Sequence, residues 1–113
     1  MAAIHQGKRA LATTGAQRSS LLPDVPTVAE AGLPGYESIA WYGVVAPGGT
    51  SKPIVDRLNS EITKALDTPD LKQRLAELGS ASVHSSPEQF GAFIKSETAR
   101  WGKVVKDSGA TVD

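Results

Sequence analysis

The sequence has no cysteine, few aromatic residues and a formal net charge of zero. Without cysteine, disulfides and thiolate metal sites are excluded. Twelve basic residues are matched by twelve acidic ones, so the basic surface of a nucleic-acid-binding protein is missing. No apolar run approaches the length that spans a bilayer. The first eight residues lack the apolar core of a signal peptide, so we expect either a cytosolic protein or an N-terminus that lies upstream of Met1.

Residue patterns for catalysis and metal binding are also missing. The two histidines, His5 and His84, are far apart and have no metal-ligand partner at a standard interval. No Gly-x-Ser-x-Gly elbow occurs, and Ser51 suits the N-cap of a helix better than a nucleophile. Glu97 interrupts an apolar stripe, and the simplest interpretation is a boundary position paired with Lys or Arg. We therefore predict neither an enzyme nor a cofactor.

The composition is typical of one small globular piece of the α/β class. With 113 residues, of which 40% are apolar, the chain can build one modest core. The segment from Ile39 to Ala46 is apolar, rich in β-branched and aromatic residues, and bounded by turn formers, which predicts a buried strand. Pro47 and two glycines end this strand. The following helix start is a possible anion contact, although a tight connection between packed elements is the simpler interpretation.

A first helix is predicted from Lys52 to Asp67, with Ser51 as its N-cap. Its apolar residues recur at helical spacing and share one face. If that face belongs to the core, truncating Leu58 or Ile62 to alanine should cost about 2–5 kcal/mol.

Two further helices have clear boundary signals. One begins at Pro69 and stops at Gly79. The last begins with a capping box formed by Ser86 and Gln89 and ends at Gly109.

The shorter elements are less regular. Residues 8–14 are ambiguous between helix and strand, and the closing Thr-Thr-Gly leans them toward strand. Thr27 and Glu30 have the spacing of a capping box that would begin a short helix. Residues 82–84 indicate a strand or an extended link, and residues 111–112 a terminal strand.

The aromatic residues on the predicted strand point to opposite faces, because side chains alternate along a strand. One of Trp41 and Tyr42 should therefore face the core and the other a surface or cleft, and core packing is the simpler interpretation for each. Gly102 follows Trp101 in the last helix and would permit close packing beside a buried tryptophan.

Six separated blocks carry a more specific signal than any of these motifs. They are residues 22–32 (LPDVPTVAEAG), 35–36 (GY), 41–50 (WYGVVAPGGT), 55–59 (VDRLN), 86–90 (SPEQF) and 101–106 (WGKVVK). In this order they closely resemble the tripartite tricarboxylate transporter substrate-binding receptors, also called Bug-type extracytoplasmic solute receptors. The resemblance covers the chain from about Lys8 to its end.

The resemblance implies a fold and a location. Family members have two α/β lobes with a cleft between them and are longer than this chain. Residues 1–113 are then a single partial domain, the C-terminal portion of a type II-like periplasmic binding protein, with short strands and three to four helices. The strand from Ile39 to Ala46 resembles the segment that crosses between the lobes at the hinge. The implied location is the periplasm.

The resemblance also implies a ligand and partners. A small carboxylate would bind in the inter-lobe cleft, mainly through backbone N–H groups and water, and would pass to membrane transporter subunits. Trp41, Tyr42 and Gly43 match the family stretch that passes the cleft, and Thr13 and Thr14 are weaker candidates by position. No catalytic residue, metal, cofactor or nucleic acid is implied.

A chain with half a cleft encloses a ligand poorly. We therefore expect a truncated piece, and whether it binds a ligand by itself is left open by the sequence. Its uncovered apolar surface favours a homo-oligomer or a domain-swapped dimer. A ligand-sensing or protein-interaction module is the alternative from another class, and a small α/β enzyme is less favoured because no nucleophile–base pair is present. The sequence leaves open which solute binds and whether Met1 is a native start.

Overall fold

The computed structural model describes residues 7–111. Three α-helices follow one another in this range: α1 (Lys52–Leu66), α2 (Pro69–Glu77) and α3 (Pro87–Ser108). The residues before α1 form turns and extended segments. His5 and the second residue of the predicted terminal strand, Val112, lie outside the described range.

The chain divides into two compact units. The first unit consists of the residues up to Val45 together with Gln73–Ala81. The second consists of Ala46–Lys72 together with the residues from Ser82 on, and it contains α1 and α3. The prediction of a single partial domain stays a prediction.

The boundaries of α3 agree with the sequence signals. Ser86 accepts a hydrogen bond from the Gln89 backbone N–H (3.1 Å), and the Gln89 side chain accepts one from the Ser86 N–H (2.9 Å). This reciprocal pairing satisfies two N–H groups that the helix start would leave open. Gly109 ends the helix with φ of 67°, a left-handed conformation that costs glycine little. The predicted capping box and C-terminal stop are confirmed.

Helices α1 and α2 also begin and end close to the predicted residues. Gly79 adopts φ of 72° after α2, and Ser80 N–H donates to the Leu75 carbonyl at 2.8 Å, as in a Schellman motif. Ser51 occupies the N-cap of α1, but its side chain makes no capping hydrogen bond.

Helices α1 and α3 contact each other within the second unit. Asn59 of α1 donates a side-chain hydrogen bond to the Ser85 carbonyl at 2.9 Å, and Lys52 lies 3.5 Å from the Glu88 carboxylate. The condition attached to the Leu58 truncation, that its face belongs to the core, is not met, because 48% of this residue is exposed. Truncating Leu58 in the isolated chain should therefore cost less than a core truncation.

The predicted strands are largely absent from the described residues. Residues 39–46, hereafter the 39–46 segment, are assigned to no strand, and most of their apolar side chains are exposed. Among residues 8–14, Thr13 is the only residue that takes part in a β-bridge, which is an isolated parallel bridge with Thr27. The prediction of a buried strand from Ile39 to Ala46 is wrong for this chain because β-propensity becomes a strand only beside a partner.

Two smaller expectations also change. Thr27 and Glu30 form the predicted capping box, but residues 28–32 make a turn and not an α-helix. Trp101 is exposed at 37%, and a Cβ added at Gly102 would meet no atom within 4 Å. Gly102 therefore does not serve close packing here.

A candidate ligand-binding segment in the first unit

Thr13 and Thr14 lie in the middle of the backbone hydrogen-bond pattern of the first unit. The Thr13 N–H donates to the Pro26 carbonyl (2.9 Å), and the Thr13 carbonyl accepts from the Val28 N–H (2.9 Å). On the next residue, the Thr14 carbonyl accepts from the Ser38 N–H (2.8 Å). The short extended piece at Thr13 and Thr14 therefore joins the turn at residues 26–28 to the start of the 39–46 segment.

The turn beside Thr13 is held by side chains. Thr27 is 1% exposed, its N–H donates to Glu30 Oε2 (2.8 Å), and its hydroxyl accepts from the Glu30 N–H (3.1 Å). Arg18 Nε lies 2.9 and 3.2 Å from the two Glu30 carboxylate oxygens. The hydrogen bond from the Thr27 backbone and then the Arg18 guanidinium hold the pKa of Glu30 below its usual value. The turn is thus fixed without help from a hydrophobic core.

Thr13 leaves one polar group without a partner. Its side-chain Oγ1 is buried and makes no hydrogen bond with any described residue. A buried hydroxyl without a partner costs about 1–3 kcal/mol. Such groups mark places where a water molecule or a ligand atom completes the hydrogen bonding.

The three residues carried over from the family resemblance follow Ser38 closely. Trp41 is three residues further on, so its Cα lies within about 11 Å of the Ser38 Cα. Tyr42 is 92% exposed and Trp41 38%, and Gly43 is exposed. The expectation that one ring faces a core is wrong in this chain, since neither aromatic is buried. The structure brings Thr14 and Ser38 together and leaves the residues Trp41, Tyr42 and Gly43 exposed.

The second unit contains a shallow, open surface cavity lined by polar residue types, which the sequence analysis missed. Its volume is about 290 Å³, and its polar groups are largely engaged: Asn59 bonds Ser85, while His84 lies 3.7 Å from Asp67. Lys72 bonds Asp67 and lowers the pKa of that carboxyl. The cavity is lined by Asn59, Thr63, His84, Ser85, Ser86 and Gln89. No sequence motif marks it, because these residues come together only through the contact between α1 and α3.

Glu97 occupies the boundary position that the sequence indicates. Its side chain is 12% exposed and lies 3.3 Å from Arg100 Nη1. The predicted pairing with a basic residue is confirmed. Within residues 7–111 no group of three or more His, Cys, Asp or Glu residues could hold a metal ion, and no described helix is long and apolar enough to cross a membrane.

Comparison with known proteins decides the family. The family model TctC, described as "Tripartite tricarboxylate transporter family receptor", matches residues 1–110. The chain belongs to this receptor family. A curated relative of the chain, the "UPF0065 protein in tcbD-tcbE intergenic region" of Pseudomonas sp. strain P51, is 48% identical over 98 residues, which are 86% of this chain and 29% of the relative.

Solved structures show the fold. The chain is similar to "R. palustris Rpa4515 with adipate" (39% identity, TM-score 0.78, 94% of this chain and 36% of that one). It is also similar to "Structure of periplasmic binding protein BugD" (35% identity, TM-score 0.75, 87% of this chain and 33% of that one). "MatC (Rpa3494) from Rhodopseudomonas palustris with bound malate" gives 40% identity and a TM-score of 0.72, covering 92% of this chain and 37% of that one.

These comparisons confirm three predictions. The family is the one that the sequence blocks indicate. The fold is part of an α/β periplasmic binding protein, although the described residues contain three helices and little strand. TctC receptors are solute-binding proteins and not enzymes. The chain spans about a third of the length of the four relatives named above.

Proposed function

We propose that this chain supplies part of the carboxylate-binding site of a periplasmic TctC receptor that serves a tripartite transporter. The observation that carries the proposal is the 39% identity to the adipate-bound R. palustris protein over 94% of this chain. A second R. palustris relative was solved with malate. Both ligands are small dicarboxylates, so the proposed solute is a small organic acid with one or two carboxylates.

Trp41, Tyr42 and Gly43 are the proposed contact residues. The structure supports this role because all three residues are exposed. They also come three to five positions after Ser38, whose N–H donates to the Thr14 carbonyl. Gly43 has no side chain, so a carboxylate can approach its backbone closely. The tyrosine and tryptophan rings present an apolar body with a polar tip, which suits the alkyl chain and the oxygens of an organic acid. Thr13 and Thr14 are weaker candidates.

We propose that binding needs the remaining part of the receptor. Ligand sites bury most of the surface of a small ligand, whereas Tyr42 is almost fully exposed here. The isolated chain is then a piece that retains one wall of the site and binds weakly or not at all. Its exposed 39–46 segment favours self-association as a homo-oligomer or a dimer with exchanged elements.

A hybrid receptor tests the proposal. In the hybrid, this chain replaces the matched 36% of the adipate-bound R. palustris protein. Thermal shift is recorded for the hybrid and for the isolated chain against a panel of carboxylic acids that includes adipate and malate. We expect a saturable stabilisation of the hybrid, about 2.7 kcal/mol at one hundred times the Kd, and no shift for the isolated chain.

Variants of the hybrid locate the site. Tyr42→Ala and Trp41→Ala should each weaken acid binding at least about tenfold, since each removes a ring from a proposed hot spot. Tyr36→Ala removes another partly exposed tyrosine of the first unit and should leave binding unchanged. A folded hybrid that binds no acid, or that binds equally well without Tyr42 and Trp41, would contradict the proposed function.

A further inference from the structure

One carboxylate in the first unit fastens the loop of residues 23–30. Glu30 Oε2 accepts hydrogen bonds from the Thr27 N–H (2.8 Å) and from Arg18 Nε (2.9 Å). Arg18 also reaches the start of the same loop, because its Nη1 donates to the Pro23 carbonyl at 3.2 Å. The loop is therefore closed by polar side chains, and its side-chain hydrogen bonds meet at Glu30.

Backbone hydrogen bonds connect this loop to the 39–46 segment. The residues on either side of Thr27 bond the Thr13 backbone at 2.9 Å each, one accepting from its N–H and the other donating to its carbonyl. The Thr14 carbonyl in turn accepts from the Ser38 N–H at 2.8 Å. Because Ser38 immediately precedes the 39–46 segment, these bonds join the loop to the start of that segment.

A close approach of two chain segments supports the same connection. A Cβ built at Gly15 would lie 3.9 Å from Ile39 Cγ2, so residues 13–15 run beside the first residue of the 39–46 segment. The proposed ligand contacts, residues 41–43, begin two positions after Ile39. A displacement of residues 13–15 should therefore move the start of the segment that carries those contacts.

Resting on the proposed function, we infer that Glu30 is a positioning residue for the carboxylate site, which acts through Thr27 and residues 13–15 on the placement of residues 41–43. The side chains of Glu30 and Arg18 are 47% and 45% exposed, and an exposed ion pair adds little to stability. The role of Glu30 should therefore appear in ligand affinity more than in melting temperature. A segment that holds its binding placement a tenth of the time weakens the apparent affinity about tenfold.

The hybrid receptor tests this role with adipate and malate as probes. Glu30→Ala should raise the Kd of the bound acid about tenfold and lower the melting temperature by at most about 4 °C. Glu30→Gln keeps an oxygen that can accept from the Thr27 N–H, so its Kd should stay within about threefold of the unmodified hybrid. A residue with a merely structural role would change the melting temperature and leave the Kd unchanged.

Glu61→Ala is the matched control. Glu61 belongs to another Arg–Glu pair, with Oε1 3.0 Å from Arg57 Nε, and its side chain is 49% exposed against 47% for Glu30. It lies on α1 in the second unit. Its truncation should leave the Kd of the hybrid unchanged.

Amide hydrogen exchange of the hybrid without ligand gives a readout that does not depend on binding. The Ser38 N–H should exchange about tenfold faster in Glu30→Ala, because the loosened loop weakens its hydrogen bond to the Thr14 carbonyl. The same N–H should exchange at an unchanged rate in Glu61→Ala. The exchange rate therefore reports on the placement of the 39–46 segment separately from affinity.

Each outcome decides the inference. A Glu30→Ala hybrid that loses its fold, or that shows unchanged Ser38 exchange, would leave Glu30 with a structural role and overturn the inference. Faster exchange with an unchanged Kd would overturn it too, as would equal effects of Glu30→Ala and Glu61→Ala. If the unmodified hybrid binds no acid, the proposed function is contradicted, and Ser38 exchange then decides whether Glu30 positions the segment.

Discussion

Among single residues, Thr13 and Thr27 show how the first unit is organised. The two threonines pair in the isolated parallel bridge of the described residues. Thr27 is buried with its hydroxyl engaged by the Glu30 N–H, whereas the Thr13 hydroxyl is buried without a partner. The Thr27 hydroxyl therefore has a hydrogen-bond partner and the neighbouring Thr13 hydroxyl has none. The effect of this difference on the free energy of unfolding can be measured.

Replacing Thr13 by valine should raise the free energy of unfolding by about 1 kcal/mol. Valine keeps the shape of threonine but has no hydroxyl. The folded chain then no longer carries the desolvation penalty of a buried hydroxyl without a hydrogen bond. Urea unfolding followed by tryptophan fluorescence measures the change. Thr14→Val is the control. Because Thr14 is exposed, this substitution should change the free energy of unfolding of the chain by less than about 0.5 kcal/mol. A destabilised Thr13→Val chain would show that a bound water or another group satisfies the hydroxyl.

Single-residue roles are only partly predictable from the sequence. The pairing of Glu97 with a basic residue follows from its place on an apolar stripe, because a carboxylate at such a boundary needs a partner. The exposure of Trp41 and Tyr42 does not follow, because both residue types also suit a core, which is the simpler interpretation of each. Only the position of neighbouring elements decides between those environments.

Among the secondary-structure elements, helices are predicted well and strands poorly. The ends of α3 depend on Ser86, Gln89 and Gly109, which act within a few residues of one another. The 39–46 segment has strong β-propensity, but a ladder needs a second strand that lies beside it in space. Local signals therefore fix the helices, while the strands depend on contacts that the sequence of the segment does not contain.

The two serine N-caps give a matched test of capping. Ser86→Ala should destabilise the chain by about 1 kcal/mol, because it removes the hydrogen bond to the Gln89 N–H and opens the capping box. Ser51→Ala should have little effect, since the Ser51 side chain makes no capping hydrogen bond. Urea unfolding monitored by far-UV circular dichroism provides the comparison. Equal losses in the two variants would mean that the capping box does not stabilise α3.

For the molecule as a whole, the main property is uncovered apolar surface. Among the described residues, Thr27 is the only one that is buried, and no buried apolar side chain is present. Folding energy of a small domain comes mostly from apolar burial, so this chain gains little of it by itself. The Pseudomonas relative and BugD are each about three times as long as this chain, and we propose that the additional length of a whole receptor covers this surface.

Self-association should follow from the 39–46 segment. We expect light scattering to give a mass at least twice the 11.8 kDa of one chain at high concentration, since exposed segments of high β-propensity pair with copies of themselves. Val45→Lys should restore the monomer by placing a charge in the segment.

A second lysine substitution controls for added charge. Val45 is 76% exposed and Val83, outside the segment, is 78% exposed. Val83→Lys therefore adds the same charge at equal exposure and should leave the oligomer intact. A compact monomer of the unmodified chain, or equal dissociation by both substitutions, would show that the 39–46 segment does not mediate association.

The chain contains only two tryptophans. Trp41 belongs to the proposed ligand segment and Trp101 lies on α3, and their exposures are nearly equal at 38% and 37%. Indole emission responds to the loss of water around the ring. Two single-tryptophan versions of the hybrid receptor would therefore act as built-in optical reporters, one sensing a carboxylate at the ligand segment and the other sensing changes in the surroundings of α3.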